Sequence, residues 1–286
     1  MKIISTIKEF RTWRKGITGS VGFVPTMGAL HEGHLSLVEQ SSKTCQNTVV
    51  SIYLNPTQFA PTEDLDSYPK NVEKDIEQLA NYQIDSIFLP NDSEMYPQGF
   101  NSVVYSTDLA KVLEGKSRPH FFQGVTTVVS KLFNIVEPSH VFLGEKDAQQ
   151  LRVVQQMVID LNSHIEIISC PIVREKNGLA MSSRNQYLTN KEREQASVIF
   201  EALQEGRNLL IAGEKNPQAV RSQVSEKISS QPSLVIDYVS VADSQTLEEI
   251  TTEIEGKVLV SVAVYLGEVR LIDNFSYSAS SILIGS

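Results

Sequence analysis

Short runs of β-branched and apolar residues alternate with amphipathic stretches through the first two-thirds of the 286-residue chain. The strand candidates are Ser20–Val24, Thr48–Leu54, Asp85–Leu89, His140–Leu143 and Ile165–Ile168. The helical candidates between them include Leu35–Lys43, Val72–Tyr82, Val125–Val136 and Gln149–Leu161. This alternation predicts an α/β fold, in which helices cover both faces of a parallel sheet. Because such sheets bind ligands beyond the carboxyl ends of their strands, we expect functional residues in the loops that follow strands.

The pattern changes after about Arg174. We predict two helices and then three strands, at Asn190–Ala212, Pro217–Ser229, Leu234–Val241, Lys257–Tyr265 and Val269–Ile272. The sequence therefore predicts a first domain over residues 1–174 and a smaller α+β domain over residues 175–286. The loop Arg174–Arg184 is expected to be the hinge between them.

Composition and charge limit the possible partners. The formal net charge is −9, whereas a nucleic-acid-binding protein normally carries a basic face, so no nucleic-acid partner is expected. No apolar run is long enough to span a bilayer, and Met1–Ile4 does not begin a signal-peptide core, so no membrane association is expected. Cys45 and Cys170 lie far apart and form no CxxC pair, which is typical of free thiols in a reducing cytoplasm.

The first functional motif follows the strand Val21–Val24. Pro25 is expected to end this strand, and Gly28 permits a tight turn. His31 and His34 are three residues apart at the start of a helix, so their rings can face the same way. A helix N-terminus already presents unpaired N–H groups and a partial positive charge. Two imidazole donors at this position predict a site for the phosphates of a nucleotide.

Other motifs do not fit the segment Met27–His34. A Walker A loop needs Lys where His34 stands, and no G-x-G-x-x-G follows the strand. An H-x-x-H pair can bind a metal, and Glu32 is adjacent, but a third ligand placed as in zinc sites is lacking. Taken alone, the two histidines leave a core or surface role open. Strand, turn, H-x-G-H and helix together resemble the signature of HIGH-type nucleotidyltransferases, a superfamily that includes the class I aminoacyl-tRNA synthetases.

Amide side chains follow the next strand. Asn55 and Gln58 lie where the sheet is expected to meet its ligand. Uncharged amides suit hydroxyls and a carboxylate that must remain nucleophilic. A turn capped by Asn-Pro would explain Asn55 without a ligand, but it would not explain Gln58.

A third loop breaks a strand at Gly144 and feeds a helix. Lys146 is a mobile cation at this phosphate-binding end of the sheet, and Asp147 is a plausible helix N-cap. Gln150 lies one turn into the helix. The mixture of charges alone would favour a solvated surface loop.

A fourth motif, Met181–Arg184, lies at the expected hinge. It resembles the KMSKS-type loop, the second signature of the HIGH-type superfamily. A flexible loop with two hydroxyls and a cation can close over pyrophosphate as charge develops on it. The tetrapeptide occurs easily by chance, but it lies about 150 residues after H-x-G-H, as the second signature should.

Together the motifs resemble the pantothenate synthetase family, also called pantoate–β-alanine ligases. The matching segments are Pro25–His34, Asn55–Phe59, Arg118–Pro119, Gly124–Asn134, Gly144–Leu151, Arg174–Leu188 and Arg270–Asn274. The resemblance implies a Rossmann-like first domain, a C-terminal lid domain and a homodimer. It also implies that (R)-pantoate and ATP form pantoyl adenylate and pyrophosphate, and that β-alanine then displaces AMP to give pantothenate.

The same resemblance assigns roles to individual residues. The catalytic residues would be His34, His31 and Lys146, with His34 as the proton donor. The ATP-binding residues would be Met27, Gly28, His31, His34, Gly144, Glu145, Lys146, Asp147, Val173, Met181, Ser182, Ser183 and Arg184. Gln58 and Gln150 would bind pantoate, and Gln58 and Asn55 would bind β-alanine. Mg²⁺ is expected to arrive with ATP, and no protein ligand is assigned to it.

One position departs from the family pattern. The family usually reads Arg-Pro-Gly-His-Phe in the loop where this chain reads Arg118-Pro119-His120-Phe121-Phe122. Phe121 therefore occupies the position of the family's histidine, and the sequence does not decide whether His120 substitutes for it.

Three alternatives remain open from the sequence. A nucleotidyltransferase that adenylylates a phosphorylated acceptor would need extra Arg or Lys where this chain has Gln58 and Gln150. An aminoacyl-tRNA synthetase would need a basic surface for its tRNA. A nucleotide-binding regulator without catalysis is suggested only by the altered Arg118–Phe122 loop.

Overall fold

The computed structural model describes residues 1–61 and 63–278. These residues form two compact units. The first unit comprises Met1–Glu145 and Gln149–Val173, and the second comprises Lys146–Ala148 and the described residues from Arg174 to Ser278.

The first unit is built on a parallel sheet. Its strands are β1 (Lys2–Ile4), β2 (Val21–Thr26), β3 (Asn47–Ile52), β4 (Ser86–Phe88), β5 (His140–Gly144) and β6 (Glu166–Cys170). Among the described residues they form one six-stranded sheet in the order β1-β4-β3-β2-β5-β6, and every pairing is parallel. The chain runs from β2 towards β3 and β4 on one side, and from β5 to β6 on the other. The topological switch point therefore lies between β2 and β5.

Helices cover both faces of this sheet. They are α1 (Ile7–Lys15), α2 (Glu32–Thr44), α3 (Val72–Leu79), α4 (Asp92–Met95), α5 (Glu114–Ser117), α6 (Phe121–Val136) and α7 (Ala148–Asp160). Successive residues of a strand point to opposite faces, so Phe23 and Val24 belong to two different apolar clusters. Val49 and Val50 on β3 divide in the same way. Burial on both faces explains why these strands read as continuous apolar runs.

The second unit combines helices with an antiparallel sheet. Its elements are α8 (Asn190–Ala196), α9 (Val198–Ile211), α10 (Pro217–Ser229), β7 (Leu234–Asp243), β8 (Lys257–Leu266) and β9 (Val269–Ser278). β8 pairs with β7 on one side and with β9 on the other. Leu203, Val224 and Val260 lie in one buried cluster, so α9 and α10 pack on one face of the sheet. The predicted fold class, a parallel α/β sheet with a smaller α+β part, is confirmed.

The prediction of one long helix over Asn190–Ala212 is wrong. The helix is interrupted at Ser197, whose backbone N–H bonds to the Glu194 carbonyl three residues back. The Ser197 hydroxyl donates to the same carbonyl at 2.7 Å. A hydroxyl that competes for a helix carbonyl in this way weakens the regular i to i−4 pattern.

The prediction that Pro25 ends its strand is also wrong, because β2 continues to Thr26. On the β3 side the register continues as far as Thr26↔Ile52. On the β5 side, the described pairs stop at Phe23↔Val141, two residues before Pro25. Proline has no N–H to donate, so it is tolerated where one neighbouring strand has already diverged. The divergence lies at the switch point.

No described helix has both the length and the apolar character that crossing a membrane requires.

Candidate active site

The motifs after β2, β3 and β5 lie at one edge of the sheet. These strands are adjacent and parallel, so their carboxyl ends point in the same direction. We call the segment Met27–His34, after β2, the histidine turn, and the segment Asn55–Gln58, after β3, the amide turn. Gly144 ends β5 on the other side of the switch point. The first unit thus gathers its predicted site residues where open α/β sheets bind ligands.

A buried carboxylate holds the histidine turn from below. Gly28 and Ala29 both have positive φ, 86° and 50°. The Asp75 carboxylate, on α3 and 2% exposed, accepts hydrogen bonds from the backbone N–H groups of Ala29 at 2.9 Å and Leu30 at 2.8 Å. Burial raises the pKa of Asp75, and the two N–H donors oppose that shift. Charge-assisted bonds therefore fix a backbone that a non-glycine residue rarely adopts.

The two histidines lie together at the N-terminus of α2. Their ring centroids are 4.0 Å apart, with 36° between the ring planes, so the predicted common orientation is confirmed. His31 is the N-cap, and its Nδ1 accepts from the Gly33 N–H at 3.1 Å. A neutral imidazole that accepts at Nδ1 carries its proton on Nε2. His31 is thereby oriented to donate from Nε2, beside the N–H groups of the helix.

The two amide side chains of the amide turn are neutral and buried. Asn55 is 1% exposed and Gln58 is 8% exposed. The Asn55 Nδ2 donates to Gln58 Oε1 at 2.9 Å and to the carbonyl of Gly124, on α6, at 3.2 Å. A Cβ at Gly124 would lie 2.3 Å from the Thr57 carbonyl oxygen, so the close approach of α6 requires glycine here.

The Arg118 side chain supports the same turn by binding the backbone of the turn. Its guanidinium forms a two-point ion pair with Glu63, with both N–O distances 2.6 Å, and donates to the Gln58 carbonyl at 3.0 Å. The guanidinium carbon lies 3.8 Å from the centroid of the Phe121 ring. Phe121, at the family's histidine position, therefore stacks on Arg118. His120 is the exposed N-cap residue of α6.

The two adjacent glutamines at the start of α7, after β5, have different surroundings. The Gln149 side chain donates to the carbonyls of Leu109 and Val112 and accepts from the N–H of Glu114, so it fixes the loop before α5. Gln150 is half-buried in the first turns of α7. The Gln149 side chain is therefore engaged by this loop, and the predicted contact of Gln150 with pantoate stays a prediction. Glu145 and Val173 also belong to the first unit.

Lys146 and Asp147 belong to the second unit. Lys146 Nζ lies 3.7 Å from Asp147 Oδ1, and the Lys146 carbonyl accepts from Asn274 Nδ2 at 2.9 Å. The neighbouring Asp273, 3% exposed in its side chain, forms a two-point pair with Arg174 at 2.6 and 2.9 Å. The backbone of the Lys146 loop is thus attached to β9, which also anchors Arg174.

Met181–Arg184 form an N-capped turn in the second unit. Ser182 is the N-cap of a short 3-10 helix, Ser183–Tyr187, and its hydroxyl accepts from the Arg184 N–H at 3.3 Å. Ser183 is buried, and Met181 and Arg184 are half-buried. The loop before it is a tight hairpin, with a bridge between Arg174 and Ala180.

In the described parts of the chain, no three His, Cys, Asp or Glu side chains form a cluster that could hold a metal ion.

Comparison with known proteins identifies the family. The family model described as pantoate-beta-alanine ligase matches residues 2–276. The chain belongs to the pantoate–β-alanine ligase family. Among its relatives, the pantothenate synthetase of Acetivibrio thermocellus is 48% identical over 277 residues, which cover 96% of this chain and 98% of that protein.

Solved structures of pantoate–β-alanine ligases have the same fold. Pantothenate synthetase from Thermus thermophilus superposes with a TM-score of 0.91 at 40% identity, covering 96% of this chain and 99% of that one. Pantoate-beta-alanine ligase from Francisella tularensis, complexed with beta-gamma ATP and beta-alanine, has a TM-score of 0.78 at 35% identity, covering 96% and 97%. Both share the six-stranded parallel sheet and the small antiparallel sheet with this chain.

Three residues of this ligase-family site were not predicted from sequence. Asp75, Gly124 and Tyr96 lie at positions fixed by tertiary contacts, and the Tyr96 hydroxyl donates to Asn55 Oδ1 at 2.8 Å. Asp75 had one available signal, because it is an acidic residue on the buried side of an amphipathic helix. The roles predicted for individual site residues stay predictions.

Proposed function

We propose that this chain is an ATP-dependent ligase that condenses (R)-pantoate with β-alanine, giving pantothenate, AMP and pyrophosphate through pantoyl adenylate. The observation that carries the proposal is the pairing of two unlike turns at the carboxyl edge of β2 and β3 in a member of this family. One turn offers imidazole and helix N–H donors that suit phosphate. The other offers neutral amides that suit a carboxylate and hydroxyls.

The first step joins two anions. The pantoate carboxylate attacks the α-phosphorus of ATP, and the bond to the bridging oxygen of pyrophosphate breaks. Positioning and charge neutralisation dominate such a reaction. His31 and His34 would donate to phosphate oxygens, and His34 is the proposed proton donor. Gln58 and Gln150 would hold pantoate.

The departing pyrophosphate needs its own stabilising groups. We assign this role to Lys146, Ser182, Ser183 and Arg184, whose hydroxyls and cations suit developing phosphate charge. The remaining residues proposed to contact ATP are Met27, Gly28, Gly144, Glu145, Asp147, Val173 and Met181. Mg²⁺ would enter as a complex with ATP, since this ion keeps several waters and binds proteins largely through substrate phosphates.

In the second step the amine of β-alanine attacks the acyl carbon of pantoyl adenylate. The bond between that carbon and the AMP oxygen breaks, the amine loses a proton, and AMP leaves. Gln58 and Asn55 would lie near the incoming amine and bind β-alanine. We also propose a homodimer and a cytoplasmic location, which sedimentation and cell fractionation would test.

The activity test supplies ATP, (R)-pantoate and β-alanine together and then omits each in turn. AMP formation that needs both pantoate and β-alanine supports the ligase. ATP binding without turnover would favour a regulator, and AMP formation with a phosphorylated acceptor would favour another nucleotidyltransferase. With ATP and pantoate but without β-alanine, enzyme-bound pantoyl adenylate and pyrophosphate are expected in about one equivalent per site.

A further inference from the structure

We propose that Tyr96 is a positioning residue, which acts through Asn55 to make Gln58 present its amide N–H groups, and not its carbonyl, to the substrate. The inference rests on the proposed function for the identity of the substrate. It concerns the orientation of one amide in the amide turn, which the hydrogen-bond partners around it determine.

The orientation of Asn55 is set by Gly124. A backbone carbonyl can only accept a hydrogen bond, so the Asn55 atom 3.2 Å from the Gly124 oxygen has to be the nitrogen, Nδ2. The other amide atom, Oδ1, then faces the opposite way. It lies 2.8 Å from the Tyr96 hydroxyl and 3.0 Å from the Thr57 hydroxyl, and both can donate.

This arrangement saturates Asn55. A primary amide has two N–H donors and two acceptor lone pairs. The donors of Asn55 go to Gly124 and Gln58, and the acceptors receive Tyr96 and Thr57. With 1% exposure and four protein partners, Asn55 is held in one orientation and in turn orients its neighbour.

The orientation of Gln58 follows from that of Asn55. Because Asn55 Nδ2 is a donor, the Gln58 atom 2.9 Å from it has to be the acceptor Oε1. Gln58 Nε2, with its two hydrogens, is therefore the end that remains for a ligand. A pantoate carboxylate or hydroxyl oxygen can accept from it, whereas the reversed amide would repel the carboxylate.

Tyr96 is well placed to remain a donor. It follows α4, and its ring packs edge-on against Phe100 at 5.1 Å between centroids. Burial is the main cause of a raised pKa for Tyr96, so its hydroxyl keeps its proton at neutral pH. Loss of this one donor would leave Asn55 Oδ1 with Thr57 alone, whose hydroxyl also lies 3.2 Å from the Tyr96 oxygen.

The chain supplies a matched control in Tyr53. Its ring lies 6.5 Å from that of Tyr96, but its hydroxyl donates to Asp92 at 2.9 Å and not to Asn55. Tyr53→Phe and Tyr96→Phe thus remove the same group from neighbouring rings. Only Tyr96→Phe removes a bond to the amide turn.

The first readout is steady-state kinetics of the two variants. We expect Tyr96→Phe to lower kcat/KM for pantoate by about five- to tenfold, as loss of one neutral hydrogen bond would, with KM for ATP unchanged. Tyr53→Phe should stay within about twofold of the wild type. Equal effects of the two variants, or a loss in Tyr96→Phe shared equally by ATP and pantoate, would overturn the proposal.

The second readout needs no activity and separates this inference from the proposed function. Side-chain amide resonances of Asn55 and Gln58 are assigned in the ¹⁵N-labelled protein from their loss in Asn55→Ala and Gln58→Ala. Tyr96→Phe should shift both amide pairs, and Tyr53→Phe should leave them in place. An inactive wild type would refute the ligase, whereas unmoved amide resonances in Tyr96→Phe would refute the positioning role.

Discussion

The histidine turn and the amide turn follow adjacent strands of one sheet, yet they are stabilised by opposite means. A buried carboxylate, Asp75, holds the histidine turn through two backbone N–H groups. The amide turn is held by a neutral side-chain network around Asn55, and its one described charged contact is the bond from Arg118 to the Gln58 carbonyl. The Asp75 charge fixes the backbone of the turn that is proposed to meet phosphate. The turn proposed to meet a nucleophilic carboxylate has amides at its centre, and these leave the carboxylate reactive.

The largest expected effect tests the chemistry of the histidine turn. His34→Ala should lower kcat by about 100-fold or more, because a preorganised donor to the transition state is lost. The control is His164→Ala, which removes an exposed imidazole in the loop before β6. Steady-state AMP formation measures both variants, and near-normal turnover in His34→Ala would refute the proposed role.

The next effect tests the neutrality of the amide turn. Gln58→Glu keeps an acceptor for Asn55 but replaces the outward donor with a negative charge. We expect kcat/KM for pantoate to fall by about 10- to 100-fold, as loss of a hydrogen bond to a charged group would, with a smaller change for ATP. The control is Gln40→Glu, on the exposed side of α2. If the two substrates were affected equally, Gln58 would not be specific to the acid.

A third prediction concerns how closely α6 approaches the amide turn. Gly124→Ala should lower the free energy of unfolding by about 2 kcal/mol, because the added methyl overlaps the backbone of Thr57. Gly16→Ala, whose Cβ would lie 3.4 Å from the Trp13 carbonyl oxygen, is the matched control and should change stability by less than about 0.5 kcal/mol. Urea unfolding measures both. Equal stabilities would show that α6 can shift without cost.

A smaller loss of stability is expected when Asp75, which supports the histidine turn, is replaced. Asp75→Asn retains one acceptor for two N–H groups, so we expect about 1.5 kcal/mol of destabilisation and a higher KM for ATP. Glu73→Gln, exposed on the same helix, should do neither. An Asp75→Asn protein with unchanged KM for ATP would separate the stability of the turn from its function.

The smallest expected effect is the pH dependence of the stability lost in Asp75→Asn. Burial raises the pKa of Asp75, so the folded state binds this proton more readily than the unfolded state. The contribution of the group to stability therefore increases as pH falls through the raised pKa towards the ordinary aspartate value. The stability gap between wild type and Asp75→Asn should be wider near pH 4.5 than at pH 7 in urea titrations, and a narrower gap would reverse the assigned sign.

Local patterns predicted most of the fold. Strands β2 to β5 are predictable because strands buried on both faces form apolar runs, whereas β6, at the end of the strand order, is only partly buried. The common orientation of His31 and His34 follows from helix geometry. β1, with three residues, is too short to show a period, and α1 was missed with it. The sequence placed a stop at Pro25 because it does not show which neighbouring strand has diverged.

The supports of the site could not be predicted in the same way. Asp75 lies 45 residues from Leu30, and Tyr96 lies 41 residues from Asn55. Each contact depends on how α3 and α4 return to the sheet, which periodicity does not specify. The Phe121 departure is similar: its stacking on Arg118 becomes visible only when the loop is folded.

The saturation of Asn55 has a consequence for inhibitor design. A compound that aims a polar group at this residue would have to break a bond to Gly124, Gln58, Thr57 or Tyr96, and the displaced partner would lose its own bond. An acceptor such as a sulfonyl or carbonyl oxygen aimed at Gln58 Nε2 meets a donor already held in place, with little ordering entropy left to lose. Analogues of the acyl adenylate should therefore gain affinity from acceptors at that position and lose it from donors.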